Sequence, residues 1–461
     1  MRPLEVSLVV SLAIGVSLLL FGYRSRGGWS WPSLLSYFAV SVVILQLVVE
    51  GYRWEMLPAY LAAVALVVNV WPFRLLTIRP IQFVAVGALC LLLSAIYFSI
   101  HSPARALPTP SGPFGVGTQT RHIVDVTRRD AGSDDAAFRE LMIQLWYPTD
   151  PDVNGRLAPY RDRRTTNRGE SHLALITTHS VVRAPLSKAR ERYPILLYAP
   201  SWNGVRTENT FHAEELASHG YIVVAMDHPH SSEVVVFPDG RTVKSKLVMG
   251  DPFSSDSALK QFLNVLDVEV QIRANDASFV VDALERWDAN DPEALLTSHL
   301  ALDRIGIFGF SLGGGVAAQA CWRDRRFKAG IDLDGLLAAE AAKHGPRAPF
   351  LFLNGQPSPE LGSVEHNHNS SEYREKELEN RQYDLMRTFA QSANHFKQLD
   401  GMRHFNFADW HFYTPWPSTE RDVTSRLFNR LTFWPSYGKA EKAARSINRQ
   451  ILSFFNAHLT A

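Results

Sequence analysis

The chain has 461 residues, more than one ordinary domain holds. Its 47 basic and 46 acidic side chains leave a formal charge of +1, so nothing argues for nucleic acid as a partner. Two cysteines, Cys90 and Cys321, imply neither a disulfide framework nor a cysteine-rich metal site. Residues 4–21 are apolar over about the length that crosses a bilayer, and further apolar runs follow near residues 34–49, 57–71 and 81–100. Because those runs follow at once, and Tyr23-Arg24-Ser25-Arg26 makes a poor cleavage site, the first run reads as a membrane helix and not as a signal peptide. Residues 1–100 are thus expected to form a bundle of about four transmembrane helices, or three if the short third run is re-entrant. Trp29, Trp31, Trp54, Trp71 and Tyr97 lie near segment ends, where interfacial aromatics sit. Arg24, Arg26, Arg74 and Arg79 outnumber Arg2, Arg53 and Arg105, which by the positive-inside rule puts the rest of the chain on the extracytoplasmic side. Residues 101–114, with Pro103, Pro108, Pro110 and Pro113, read as a linker that cannot be regular helix.

A single further domain is expected over residues 115–461. Leu141 to Pro148 reads as a strand, and the polar stretch from Asp150 to Lys188 as loop and short helix. Tyr193 to Ala199 is continuously apolar, as a strand buried on both faces should be. A helix over residues 211–219 ends at Gly220, and Tyr221 to Met226 is the next strand. Residues 258–287 carry apolar side chains at helical spacing, and a last helix is expected near residues 440–455. Strands at residues 304–308, 329–333 and 350–353 complete an alternation that predicts an α/β class, a mainly parallel sheet with helices on both faces.

The chemistry centres on Gly309-Phe310-Ser311-Leu312-Gly313, a G-x-S-x-G motif between an apolar run and the helix-forming Val316 to Ala320. Strand, sharp turn and helix in that order are the nucleophile elbow of an α/β-hydrolase. A serine at neutral pH needs a base, an acid that orients the base, and donors for the oxyanion. Asp334 follows the strand ending at Leu333, with Asp332 as a deeper rival. His404 lies on a loop after the strand-like Phe396 to Leu399, with His395 and His411 as alternatives. The oxyanion donors are expected to be the backbone N–H of Leu312 and one from Pro200-Ser201-Trp202-Asn203-Gly204, either Ser201 or Trp202. His228 and His230, two apart with no further spaced ligands, read as pocket wall or loop, and Cys321 as a packing residue. No cofactor and no metal ion are expected.

These residues and their surroundings resemble the plasma-type (type II) platelet-activating factor acetylhydrolases, calcium-independent serine lipases of the α/β-hydrolase fold. The resemblance is carried by Gly112 to Gly117, Leu145 to Pro148, Arg206-Thr207, Leu216 to Val223, Gly309 to Gly314, Gly330 to Gly335 and His404 to Asp409, and spans nearly all of residues 112–415. It implies Ser311 as nucleophile, Asp334 as acid, His404 as base, and the backbones of Trp202 and Leu312 as oxyanion donors. The chain departs from the family in carrying Pro200-Ser201 where a His-Gly pair stands, in a longer segment from Gln356 to Asn380, and in its apolar N-terminal part. The resulting expectation is a membrane-anchored serine ester hydrolase that cleaves short or oxidised acyl esters, the sn-2 ester of phospholipids among them, through an acyl-enzyme. An acyltransferase using the same triad, and a non-catalytic membrane sensor or scaffold, are the alternatives. The sequence leaves the oligomeric state open.

Overall fold

The computed structural model of the chain describes residues 3–21, 31–52, 54–70, 81–101, 107–133, 137–166, 173–174, 176–248, 250–356, 370–390, 395–413 and 437–460. Its contacts divide the chain into two units, Met1–Arg105 with Pro159–Ile176, and Ala106–Ala158 with Thr177–Ala461.

The first unit contains four helices, α1 (Pro3–Leu20), α2 (Trp31–Val49), α3 (Leu57–Val70) and α4 (Ile81–His101). Leu8, Leu12 and Val16 of α1 pack with Ala59, Ala63 and Leu66 of α3 and with Ala85, Ala88 and Leu92 of α4. The small alanines let the helix backbones approach closely. The expectation of four membrane spans needs correction. Among the described residues only α1 is long and apolar enough to cross a bilayer; the apolar stretches of the others, Leu34–Val49, Leu57–Val68 and Phe83–Ser99, have between 10 and 17 residues. The arginines that set the expected orientation, at positions 2, 24, 26, 53, 74, 79 and 105, lie outside the described residues.

In the second unit, residues 107–114 do not hang free. The Ser111 N–H donates to Glu215 Oε2 at 2.9 Å and the Phe114 N–H to the Ser218 carbonyl at 3.1 Å. The chain then forms β1 (Gly115–Arg129), β2 (Phe138–Thr149), β3 (Leu157–Pro159) and β4 (Thr177–Val182). After these come β5 (Tyr193–Ala199), helix α5 (Thr210–Ser218), β6 (Ile222–Asp227), a small hairpin β7 (Val234–Val236) and β8 (Thr242–Lys244), and the long helix α6 (Asp256–Ala289). The elbow region supplies β9 (Leu300–Phe310), α7 (Leu312–Arg323), β10 (Phe327–Leu333), α8 (Ala341–His344) and β11 (Phe350–Asn354). The end of the chain adds α9 (Ser371–Phe389), β12 (Phe396–Gln398), a 3-10 turn at His404–Phe407, α10 (Trp410–Tyr413) and α11 (Tyr437–Leu459).

Ten strands form one sheet in the order β12-β11-β10-β9-β5-β6-β2-β1-β4-β3. From β6 to β12 every neighbouring pair is parallel, and β2 joins β6 antiparallel. The strand period of two sorts side chains between two cores. Ile195, Leu197 and Ala199 of β5 face Val270 and Ala274 of α6 and Val316 of α7. Leu196 and Tyr198 face Leu216 of α5 and Ile451 and Phe455 of α11. Every residue of β5 is therefore buried, which explains its unbroken apolar sequence. The stretch expected to be loop and short helix, Asp150 to Lys188, contains a short 3-10 helix at Arg163–Thr165 and supplies β3 and β4 as well. Of the segment from Gln356 to Asn380, residues 357–369 lie outside the described residues, and Ser370 caps α9, which takes up the segment from Ser371 onward.

Candidate active site

Ser311 sits between β9 and α7 with φ 57° and ψ −121°, a left-handed conformation that costs a non-glycine residue of the order of 1–3 kcal/mol. Its neighbours show why the turn needs glycine. A Cβ on Gly309 would overlap the Gly313 carbonyl, and one on Gly313 would overlap the Ala199 carbonyl at the end of β5. The spacing G-x-S-x-G thus records two close backbone approaches. The Ser311 N–H donates to the Leu333 carbonyl at 3.0 Å, which ties the elbow to the end of β10.

Asp334 is the next residue but one to that strand-end carbonyl's neighbour Asp332, and it also has positive φ, 57°. This turn swings its carboxylate to the rim. Oδ2 lies 2.7 Å from His404 Nδ1, and Oδ1 accepts the Gly355 N–H at 2.6 Å. With Nδ1 donating to Asp334, Nε2 of the imidazole is left as the acceptor a general base needs. The His404 ring packs beside Phe310, the residue before Ser311, at 4.8 Å between ring centres. No hydrogen bond joins Ser311 Oγ to His404 among the described residues; such contacts commonly tighten only with substrate bound.

The loop carrying His404 is pinned to α5. Asp409 Oδ2 accepts the Phe211 N–H in the first turn of that helix at 3.1 Å, and Asn209 Nδ2 donates to the Phe407 carbonyl at 2.9 Å. Asn406 Oδ1 accepts the Arg403 N–H at 2.8 Å and closes the turn on which the histidine stands.

Asp332, the rival acid, is fully buried below the rim, with Oδ1 facing the elbow helix at Gly314. The Gly335 N–H gives it partial compensation, yet neither oxygen has a well-formed hydrogen bond. Burial, and then the nearby Asp334 charge, push its carboxyl well above the ordinary range. A carboxyl with a raised folded-state pKa lowers stability progressively as pH rises above about 4, where the unfolded chain ionises and the folded chain does not. Asp332→Asn is therefore expected to raise the melting temperature at pH 7–8 and leave it nearly unchanged near pH 4. A uniform drop at both pH values would show that the carboxyl makes a bond the amide cannot.

Among the other expected candidates, His395 packs against Phe454 and His458 of α11, and its burial lowers its pKa. The His411 side chain lies outside the described residues. His228 is buried with Nδ1 2.8 Å from Asp276, while His230 lies 3.5 Å from Asp130. The two histidines thus face different carboxylates, and no group of three metal-ligating side chains occurs among the described residues. Burial raises the Cys321 thiol far above its ordinary value, which leaves it unreactive.

The loop after β5 separates the two oxyanion candidates. The Ser201 N–H is already committed to Glu208 Oε2 at 2.9 Å. The Trp202 N–H has no hydrogen-bond partner among the described residues. Leu312 opens α7, so its N–H is one of the first-turn donors that helical bonding leaves free. Glu208 and Arg273, which hold this loop, carried no sequence signal; they lie outside every motif.

A parallel sheet with a strained serine elbow and a carboxylate–imidazole pair on the next strand ends defines an α/β-hydrolase, and the comparisons agree. A solved ferulic acid esterase from Streptomyces cinnamoneus superposes with a TM-score of 0.57 and 25% identity, over 77% of this chain and 94% of that one. The family model of platelet-activating factor acetylhydrolase, isoform II, matches residues 99–420, and the chain belongs to that family. A probable 1-alkyl-2-acetylglycerophosphocholine esterase of Arthroderma benhamiae is 30% identical over 307 residues, 61% of this chain and 72% of the relative. The platelet-activating factor acetylhydrolase of Canis lupus familiaris is 26% identical over 198 residues, 39% of this chain and 44% of the relative. The protein is a carboxylic ester hydrolase.

Proposed function

We propose that the ester is cleaved through an acyl-enzyme on Ser311. His404 takes the serine proton and returns it to the leaving alcohol, Asp334 holds the imidazole, and the N–H groups of Leu312 and Trp202 stabilise the oxyanion; water then releases the acid. The 2.7 Å contact between Asp334 and His404 beside the Ser311 elbow is the observation that carries this reading. The substrate class is short or oxidised acyl esters, including the sn-2 ester of phospholipids. Its support is the 1-alkyl-2-acetylglycerophosphocholine named for the Arthroderma relative.

The same proposal places the enzyme on a membrane through its first unit. Besides the length of α1, the helices turn apolar side chains outward as well as inward. Val6, Val10 and Ile14 of α1, Phe38, Ile44 and Val48 of α2, Leu61 and Val64 of α3, and Phe83, Val86 and Leu93 of α4 are all exposed. Helices apolar all round are stable where the surroundings are apolar too. Tethering then raises the concentration of substrate partitioned into the bilayer around the site.

One preparation tests both parts. The full chain is expected to stay in membranes washed with alkaline carbonate, and those membranes to hydrolyse acetyl esters and 1-alkyl-2-acetyl phospholipids faster than their long-chain counterparts. Release by carbonate would remove the membrane attachment. A preference for palmitoyl over acetyl would remove the substrate class, and transfer to an added alcohol in place of hydrolysis would make the enzyme an acyltransferase.

A further inference from the structure

The loop after β5 is gripped from below by a side chain that no motif contains. Arg273, in the middle of α6, is completely buried. Its Nη1 donates to the Pro200 carbonyl at 3.1 Å and to the Ser201 carbonyl at 2.9 Å, and its Nη2 to the Ser231 carbonyl at 3.3 Å. Its charge is balanced by Glu269, one helical turn away, at 3.4 Å from Nε. Glu269 in turn accepts the Ser231 hydroxyl at 2.6 Å. From the other side Glu208 accepts both the N–H and the hydroxyl of Ser201, at 2.9 and 2.5 Å. The far end of the loop is fixed as well, because the Asn203 carbonyl accepts the Glu233 N–H at 2.8 Å.

A buried guanidinium is a costly way to fill space, since it loses its hydration and an apolar side chain of similar volume often serves stability better. Its use here has a geometric consequence. In a trans peptide the C=O and the following N–H point in opposite directions within one rigid plane. A donor that holds the Ser201 carbonyl down therefore aims the Trp202 N–H up. The preceding plane is held at both ends, its carbonyl by Arg273 and its N–H by Glu208, so it cannot rotate to relieve the next.

We propose that Arg273 is a positioning residue of this ester hydrolase: it orients the Ser201–Trp202 peptide so that the Trp202 N–H faces the oxyanion, with Glu208 as its counterpart. The proposal rests on the reading of Leu312 and Trp202 as oxyanion donors. Donors held in advance need no reorganisation when charge develops on the carbonyl oxygen, so the gain appears in the transition state more than in substrate binding.

The test uses the full-length enzyme with Arg273→Ala, Arg273→Met and Arg273→Lys, assayed on a short acyl ester. Removal of a whole oxyanion donor costs about 100- to 1,000-fold in kcat, so a misdirected one is expected to cost roughly 10- to 100-fold, with KM within about threefold. Affinity for a trifluoromethyl ketone, whose adduct carries the oxyanion, should fall in parallel with kcat. Millimolar guanidinium should restore part of the kcat of Arg273→Ala, as filling the vacated donor site requires. Arg273→Met keeps the volume without the donors, and Arg273→Lys keeps the charge and a donor, so the test does not depend on the Ala variant alone. A folded Met variant, which has no donor, with kcat within twofold of the parent and unchanged ketone affinity would overturn the proposal. A folded Lys variant as impaired as Met, with no relief of the Arg273→Ala loss by guanidinium, would overturn it too. So would a loss of activity that tracks only the fraction of folded protein. The underlying reading fails separately: a parent enzyme in which an organophosphonate does not label Ser311 has no oxyanion hole at this loop to position.

Discussion

Ser311→Ala is expected to abolish stoichiometric labelling by an organophosphonate and to lower kcat by about 10^6-fold, the loss known for removal of a triad serine. The expectation follows from the elbow, where the Ser311 backbone is held at φ 57° and α7 begins at the next residue. Alanine occupies the same left-handed conformation at a similar cost, so the fold should persist while the nucleophile is gone. Ser311→Gly should be equally inactive but more stable than Ser311→Ala, because glycine adopts positive φ without strain. Labelling retained at full stoichiometry in Ser311→Ala would place the nucleophile elsewhere.

Asp334→Asn comes next in size, at about 10^4-fold in kcat. The carboxylate accepts from His404 Nδ1 at 2.7 Å through one oxygen and from the Gly355 N–H at 2.6 Å through the other. With Gly355 keeping the amide oxygen, asparagine turns its NH2 toward the ring. The imidazole then has to accept at Nδ1 and carry its proton on Nε2, where it can no longer take one from Ser311. Asp332→Asn, two residues earlier, leaves this pair intact and is expected to change kcat by less than about twofold. Comparing the two variants by circular dichroism and initial rates decides the assignment. A larger loss for Asp332→Asn than for Asp334→Asn would move the acid into the strand.

The elements that sequence patterns disclosed are those whose burial rests on apolar side chains alone. β5 is apolar throughout because helices cover both its faces. β1 carries no such apolar signature, for the opposite reason. It alternates between buried and exposed positions, but the buried ones include Arg121 and Asp125. Arg121 pairs through both terminal nitrogens with the carboxylate oxygens of Asp291, 2.9 Å away and 170 residues later, and Asp125 pairs with Arg128. A hydropathy pattern cannot register a strand whose inward side chains are charged and paired far along the chain. The first unit misled in the other direction. Its runs are apolar enough to suggest four spans, but among the described residues only α1 is both long and apolar enough to cross a bilayer.

By itself, the sequence determined the elbow, because its glycines answer backbone collisions set by the residues immediately around them: Gly309 against Gly313, and Gly313 against the end of β5. It also determined the family, through motifs spread over residues 112–415. Residue order and spacing left Asp332 beside Asp334, and Ser201 beside Trp202, with the resemblance favouring one of each; the tertiary structure pairs Asp334 with His404, commits the Ser201 N–H to Glu208 and, among the described residues, gives the Trp202 N–H no partner. Both choices turn on where a side chain or peptide points. His404 meets Asp334 across 70 residues, and Arg273 grips Ser201 across 72. Local sequence fixes which backbone conformations are allowed; the direction of a carboxylate or an amide is fixed by partners that folding brings from elsewhere in the chain.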